Sequence, residues 1–169
     1  MRPESLFPAF IPITSLKGCG PRLAPLVEKL AGGRALDLWW HLPAALIDRR
    51  YRRAVAEAEP GRVATLQITI DRHLPPRNPR LPYRIMGHDG SGQITVVFFN
   101  GREDFLKRSL PEGETRIVSG SIELFDGQVQ MTHPDRIGTV EELDLLATVE
   151  PVYPLTAGLA PRTLAKIVE

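Results

Sequence analysis

The chain has 169 residues, 43% of them hydrophobic and 24% charged, with one cysteine and a formal net charge of +1. That length fits one ordinary domain plus an appendage and lets roughly 70% of the unfolded chain's surface be buried, with a globular rather than a disordered composition. Cys19 alone excludes an internal disulfide and a cysteine metal cage, no apolar run approaches the ~20 residues of a membrane span, and no secretory pattern opens the chain, so a cytoplasmic setting is expected.

Pro3, Pro8 and Pro12 make the first dozen residues an extended lead-in. Gly18-Cys19-Gly20 permits a tight turn, and Pro21 suits the first position of a helix reaching about Leu30. Gly32-Gly33 ends it, and a second short helix over 35–42 has Leu36, Trp39, Trp40 and Leu42 to bury before Pro43. Residues 1–50 are thus expected to form a helical, helix-hairpin-helix-like unit. From 51 to 138 the pattern changes to strands. Over 63–72, Leu66, Ile68 and Ile70 alternate with Thr65, Gln67 and Thr69, the mark of a half-buried strand. A loop over 73–82 holds four prolines with Arg77 and Arg80. Strands follow over 83–88 and 93–100, joined by the turn Asp89-Gly90-Ser91-Gly92. A helix over 101–110 offers Phe105, Leu106 and Leu110 to the core. A fourth strand over 115–124 turns Val118, Ile122 and Leu124 inward, with Gly120 at a bend, and Asp126-Gly127 leads to a fifth over 128–133 with Val129 and Met131 inward. Residues 139–169 read as an acidic linker and a short C-terminal helix from Pro161, whose Leu164, Ile167 and Val168 await something to pack on.

Three strands, a helix and two strands is the connectivity of the OB-fold, a five-stranded Greek-key barrel. The expected fold is therefore mixed and mainly β: that barrel, an N-terminal helical hairpin unit and a short C-terminal helix. No glycine is followed by lysine, so no phosphate-cradling loop of a nucleotide-hydrolysing motor is present; His41, His73, His88 and His133 are isolated; no Gly-x-Ser-x-Gly occurs. Neither enzymatic activity, nor a metal, nor a cofactor is expected of this segment.

Charge is balanced in sum but not along the chain. Residues 49–84 carry nine arginines against three acids, and residues 111–150 carry two arginines against nine acids. Three features bear on nucleic acid. Gly18-x-Gly20-Pro21 opening a helix matches turns whose backbone N–H groups meet a phosphate, and equally matches a plain turn in a helical packing unit. Arg49, Arg50, Arg52 and Arg53, then Arg77, Arg80 and Arg84, supply guanidinium forks for phosphate or solvated surface. Phe99 is either an outward ring on the third strand, able to stack on a base, or packed under the following helix.

Leu16-x-Gly18-x-Gly20-Pro21, His41-Leu42-Pro43 with Asp48-Arg49, Phe98-Phe99-Asn100, His133-Pro134 and Pro151-Val152-Tyr153-Pro154-Leu155-Thr156-x-Gly158-Leu159 occur in this order. Together they resemble the N-terminal part of the RecG family of bacterial ATP-dependent branch-migration helicases, over nearly the whole chain. The resemblance implies that the OB-fold is a wedge at a replication fork or Holliday junction, acting in DNA recombination and repair. It further implies that an aromatic matching Phe99 stacks on a base at the branch point, and that the helicase motor, with its ATP and Mg, lies beyond Glu169 and acts in cis. Some members place a second aromatic four residues later, where this chain has Glu103. The acidic later half is then expected to face away from DNA or toward the motor. Two alternatives stay open: a protein-interaction module, with single-stranded-DNA-binding protein as partner and Trp39-Trp40 in its surface, and a generic single-stranded DNA binder.

Overall fold

The computed structural model describes residues 3–78 and 80–168. It divides into two compact units, one made of residues 1–47 with 151–169 and the other of residues 48–150. This partition differs from the three segments expected. Residues 139–150 belong with the barrel and 151–169 with the N-terminal helices, so the last segment is not a separate linker.

In the helical unit, α1 (Ala24–Leu30) and α2 (Ala35–Trp39) are short. α4 (Pro161–Val168) packs back on them, burying Leu164 and Ile167 with Ile13, Cys19, Val27 and Leu38. Burial pushes the Cys19 thiol up. His41 stacks on Tyr153, ring centroids 6.0 Å apart, and its Nε2–H donates to the Pro154 carbonyl at 3.0 Å. Trp39, Trp40 and Leu42, expected in the core, stand exposed, Trp40 at 74%. α2 ends at Trp39, and Ala35 and Leu38 are the residues it buries.

The second unit holds the barrel. β2 (Val63–Leu74), β3 (Tyr83–His88), β4 (Gln93–Phe98), β5 (Thr115–Phe125) and β6 (Gln128–Thr132) hydrogen-bond in the order β2-β3-β4-β6-β5, and β5 closes back on β2. β4 and β6 run parallel, the other pairs antiparallel. Period-two alternation sends Leu66, Ile68, Ile70, Ile85, Ile94, Val96, Phe98, Ile122 and Met131 into one core. α3 (Glu103–Ser109) adds Leu106 to it. Gly120 is needed where β5 crosses: a Cβ there would lie 3.1 Å from the Met131 sulfur and 3.2 Å from Pro134 Cα. Two inward expectations are corrected. Leu124 and Phe105 are exposed, at 56% and 54%: β5 has parted from β2 after the pair Val63–Ser121 and at Leu124 pairs with β6, and α3 lays only Leu106 on the barrel.

Three strands escape the sequence pattern. β7 (Arg136–Gly138) extends the sheet beside β5, and β1 (Ala45–Asp48) pairs with β8 (Val149–Val152) in a two-stranded ribbon.

One polar pin holds the β3–β4 turn. The Asp89 carboxylate accepts N–H bonds from Val55 at 2.7 Å, Ser91 at 2.9 Å and Gly92 at 3.2 Å, and the Ser91 hydroxyl at 2.6 Å. Burial opposes its charge, but these bonds together outweigh burial and hold the carboxyl below its ordinary range. Asp89→Ala leaves the N–H of fully buried Val55 without its acceptor, an expected loss of about 1–3 kcal/mol. Since the native carboxyl titrates below the unfolded value of ~3.9, this contribution is whole above about pH 4 and fades as pH falls through the lower native value. Urea midpoints of the two proteins are therefore expected to differ at neutral pH and to converge in acid.

Candidate nucleic-acid interface

The arginine-rich segment separates into two populations. Arg49, only 3% exposed, is a structural residue. Its Nη1 donates to Asp135 at 3.0 Å and its Nε to Glu150 at 3.0 Å, while Arg136 holds the other Glu150 oxygen. The Arg49 carbonyl accepts the Thr65 hydroxyl at 2.7 Å. This corrects its expected place on a DNA-facing surface. Arg50 forms a two-pronged pair with Asp48, at 2.9 and 2.8 Å, and its side-chain and backbone hydrogen bonds hold the Asp48 carboxyl at about 2. Arg52 pairs with Asp144 at 2.9 Å and Arg53 with Glu57 at 3.8 Å. The acidic stretch thus supplies counter-charges to the arginine cluster, with Asp135, Asp144 and Glu150 all used this way.

Arg77, Arg80 and Arg84 are different. All three are exposed, and among the described residues no carboxylate pairs with any of them. Arg77 and Arg80 lie on the β2–β3 loop, whose Pro79 falls outside the described residues; Arg84 lies on β3 opposite Val97. Arg72, which the sequence pattern did not single out, also has no carboxylate partner among the described residues, and its Nε donates to the Met86 sulfur at 3.3 Å. Arg102, the residue before α3, is a further exposed cation without a carboxylate partner among the described residues.

Phe99 follows β4 directly. With Ile94, Val96 and Phe98 in the core, alternation turns it outward, and it is 52% exposed. Val97, which the same alternation turns away from the core of Ile94, Val96 and Phe98, is nevertheless buried. The Phe99 ring lies 5.8 Å from the His133 ring, tilted 32° to it, and its backbone N–H donates to His133 Nε2 at 3.0 Å. Glu103, at the position where the resemblance implies a second aromatic, is paired with Lys107 at 2.7 Å. Exposed Phe105 is the ring that α3 presents instead.

The outer face of β3, β4 and β6 carries two adjoining depressions that together make a shallow groove. A depression of about 210 Å³ reaches Gln93 and Gly127, and one of about 140 Å³ reaches Arg84 and Phe125; both include Met86, Thr95 and Gln128. Phe125, 61% exposed beside the Asp126-Gly127 turn, was missed because its strand was expected to end at Leu124. The groove offers amides, a hydroxyl, a thioether and a ring, with a guanidinium at its edge.

Gly18 and Gly20 lie in the other unit. Gly18 has φ +88°, which glycine adopts without strain, and a Cβ there would meet Ile167 at 3.6 Å. Cys19 between them is buried and its N–H donates to the Leu16 carbonyl. Gly18 and Cys19 thus pack inside their own unit, while Gly20 is exposed and a Cβ there would have nothing within 4 Å. Among the described residues no cluster of His, Cys, Asp or Glu is placed to hold a metal, and no helix is long and apolar enough to cross a membrane.

A barrel closed by five strands, with a helix between the third and fourth and an exposed ring, free guanidiniums and a polar groove on its outside, defines an OB-fold of the kind whose outer strands form a ligand face. More narrowly, the chain belongs to the RecG wedge domain family, whose profile matches residues 12–169. It is 30% identical to the ATP-dependent DNA helicase RecG of Escherichia coli K12 over 161 residues, and 24% identical to that of Pasteurella multocida. Both matches cover 94% of this chain and 23% of the relative, so the chain spans about a quarter of those proteins' length. A solved structure of RecG bound to a three-way DNA junction shares the fold, with a TM-score of 0.74 at 23% identity over 94% of this chain and 22% of that one.

Proposed function

We propose that this chain is the branched-DNA-binding, strand-separating wedge of a RecG-like helicase, acting in the cytoplasm in recombination and repair. The carrying observation is the outward Phe99 ring at the end of β4. Such a ring replaces the stacking partner a base loses when a pair opens. Arg77, Arg80, Arg84 and Arg72 track the phosphates, and the groove from Arg84 to Phe125 carries an unpaired strand away from the branch. The reading draws support from relatives named ATP-dependent DNA helicase and from the junction-bound relative. Motor domains in cis, using ATP and Mg, drive the strand movement.

Phe99→Ala is expected to lower affinity for a fork roughly 5- to 150-fold, the equivalent of ~1–3 kcal/mol per stacked base, and to leave blunt-duplex affinity and its salt dependence nearly unchanged. Fluorescence anisotropy with fork and duplex of equal length measures both. A variant that prefers forks as strongly as the parent removes Phe99 from this role.

The other unit supports a protein-facing role. Trp39, Trp40 and Leu42 are exposed together on a unit whose core is already complete. The motor domains of the longer protein are the partner we assign to them, ahead of single-stranded-DNA-binding protein.

A further inference from the structure

The end of the β4–β6 ladder is built in an unusual way. The last parallel pair is Val97 with Thr132. One residue later the His133 N–H still donates to the Val97 carbonyl at 2.8 Å. There the backbone turns away, because His133 has φ +47° and Pro134 follows. Asn100, after Phe99, is left-handed too, at φ +59°. Asn and His visit that region more often than other side chains do, but any residue except glycine held there carries strain.

With the β6 backbone gone, no carbonyl of that strand is left for the Phe99 N–H. The His133 side chain takes its place. Nε2 accepts the Phe99 N–H at 3.0 Å, so in the neutral ring the proton sits on Nδ1. The same imidazole stands edge-on to Phe98 at 5.9 Å and tilted beside Phe99 at 5.8 Å. One residue thus closes the ladder, touches the ring that faces the core and touches the ring that faces out. The left-handed backbone is what lets the side chain reach back over Phe99. His133 is exposed, so burial of its own side chain does not account for the left-handed backbone, whereas its contacts with Phe98 and Phe99 do.

We propose that His133 is a positioning residue for Phe99: through Nε2 it fixes the backbone from which the ring projects and so pre-sets the plane on which a branch-point base stacks. This rests on the reading of Phe99 given above. A ring fixed before binding loses less freedom on contact, so the benefit appears in fork preference rather than in fold stability.

Three variants test it. His133→Gly removes the strain with the acceptor, so the fold is expected to be at least as stable in urea. Phe99 amide exchange, followed by NMR without DNA, is expected to speed up, and fork preference to fall roughly 2- to 10-fold, the worth of one hydrogen bond. His133→Gln, whose Oε1 can stand where Nε2 does, is expected to restore amide protection and most of the preference. His133→Phe keeps a ring but no acceptor and is expected to restore neither. Equal amide exchange in the parent and the Gly variant, or rescue by Phe and not by Gln, overturns the proposal. The amide readout needs no DNA, so if Phe99→Ala leaves fork binding untouched, the wedge reading fails while the hydrogen bond is still seen or not seen on its own terms.

Discussion

Arg49→Met is expected to destabilise the protein by about 3 kcal/mol, at the low end of the roughly 3–5 kcal/mol that follows removal of one partner from a buried ion pair. The Met side chain fills the space of the arginine stem but leaves two carboxylates without their shared cation. The loss stays at the low end because the Asp135 side chain is 54% exposed and can be hydrated, and Glu150 keeps Arg136. For a chain of this size the midpoint of thermal unfolding should fall by roughly 6–12 °C. Arg49→Lys is expected to lose part of this, since a point charge cannot reach Asp135 and Glu150 from two separate nitrogens as the guanidinium does. The folded variant should bind fork DNA within about twofold of the parent, because a side chain 4% exposed has no surface to offer a phosphate. Calorimetry and anisotropy on one preparation give both numbers; full stability with weakened binding contradicts the assignment of Arg49 to the fold.

The case of Arg49 also shows which parts of this molecule can be read from its sequence. The barrel strands are legible because their information is local: Leu66-x-Ile68-x-Ile70 and Ile94-x-Val96-x-Phe98 state their own period, and the same alternation places Phe99 outside. The charge pairing is not local. Arg49 meets Glu150 across 101 residues, Asp135 across 86, and Arg52 meets Asp144 across 92. Along the sequence the middle is strongly basic and the later half acidic, and nothing local in either says that one neutralises much of the other. The short strands β1, β7 and β8 have three or four residues each and exist through their partners. Trp39, Trp40, Phe105 and Phe125 show another limit: hydrophobicity says that a side chain gains from burial, not that its own fold provides it. His133 was visible only as an isolated histidine, since the acceptor role comes from a left-handed backbone that its residue type does not announce.

If the two arginine populations differ as their partners indicate, their removal should have opposite weight in DNA binding. Replacing Arg77, Arg80 and Arg84 together by Gln is expected to flatten the log–log dependence of fork affinity on salt by about 2, at roughly 0.7–0.9 for each phosphate no longer neutralised, and to cost roughly a hundredfold in affinity near 0.1 M salt. Replacing Arg50, Arg52 and Arg53 together should change the slope by less than about 1. Those side chains already spend their charge on Asp48, Asp144 and Glu57, and a phosphate must displace a carboxylate to reach them. The Arg50–Asp48 pair is two-pronged, with bonds of 2.9 and 2.8 Å, so a phosphate would have to break both to take the guanidinium. Both triple variants remove the same formal charge, so net charge alone predicts equal losses and cannot explain a difference. Equal slopes in the two variants would mean that the field of the whole surface, rather than uncompensated guanidiniums at the loop and β3, holds the DNA; a larger loss from the paired set would move the interface to the other arginines altogether. The expected order follows from one physical asymmetry: a cation facing only water releases counterions when a phosphate arrives, whereas a cation already bonded to a carboxylate has few left to release.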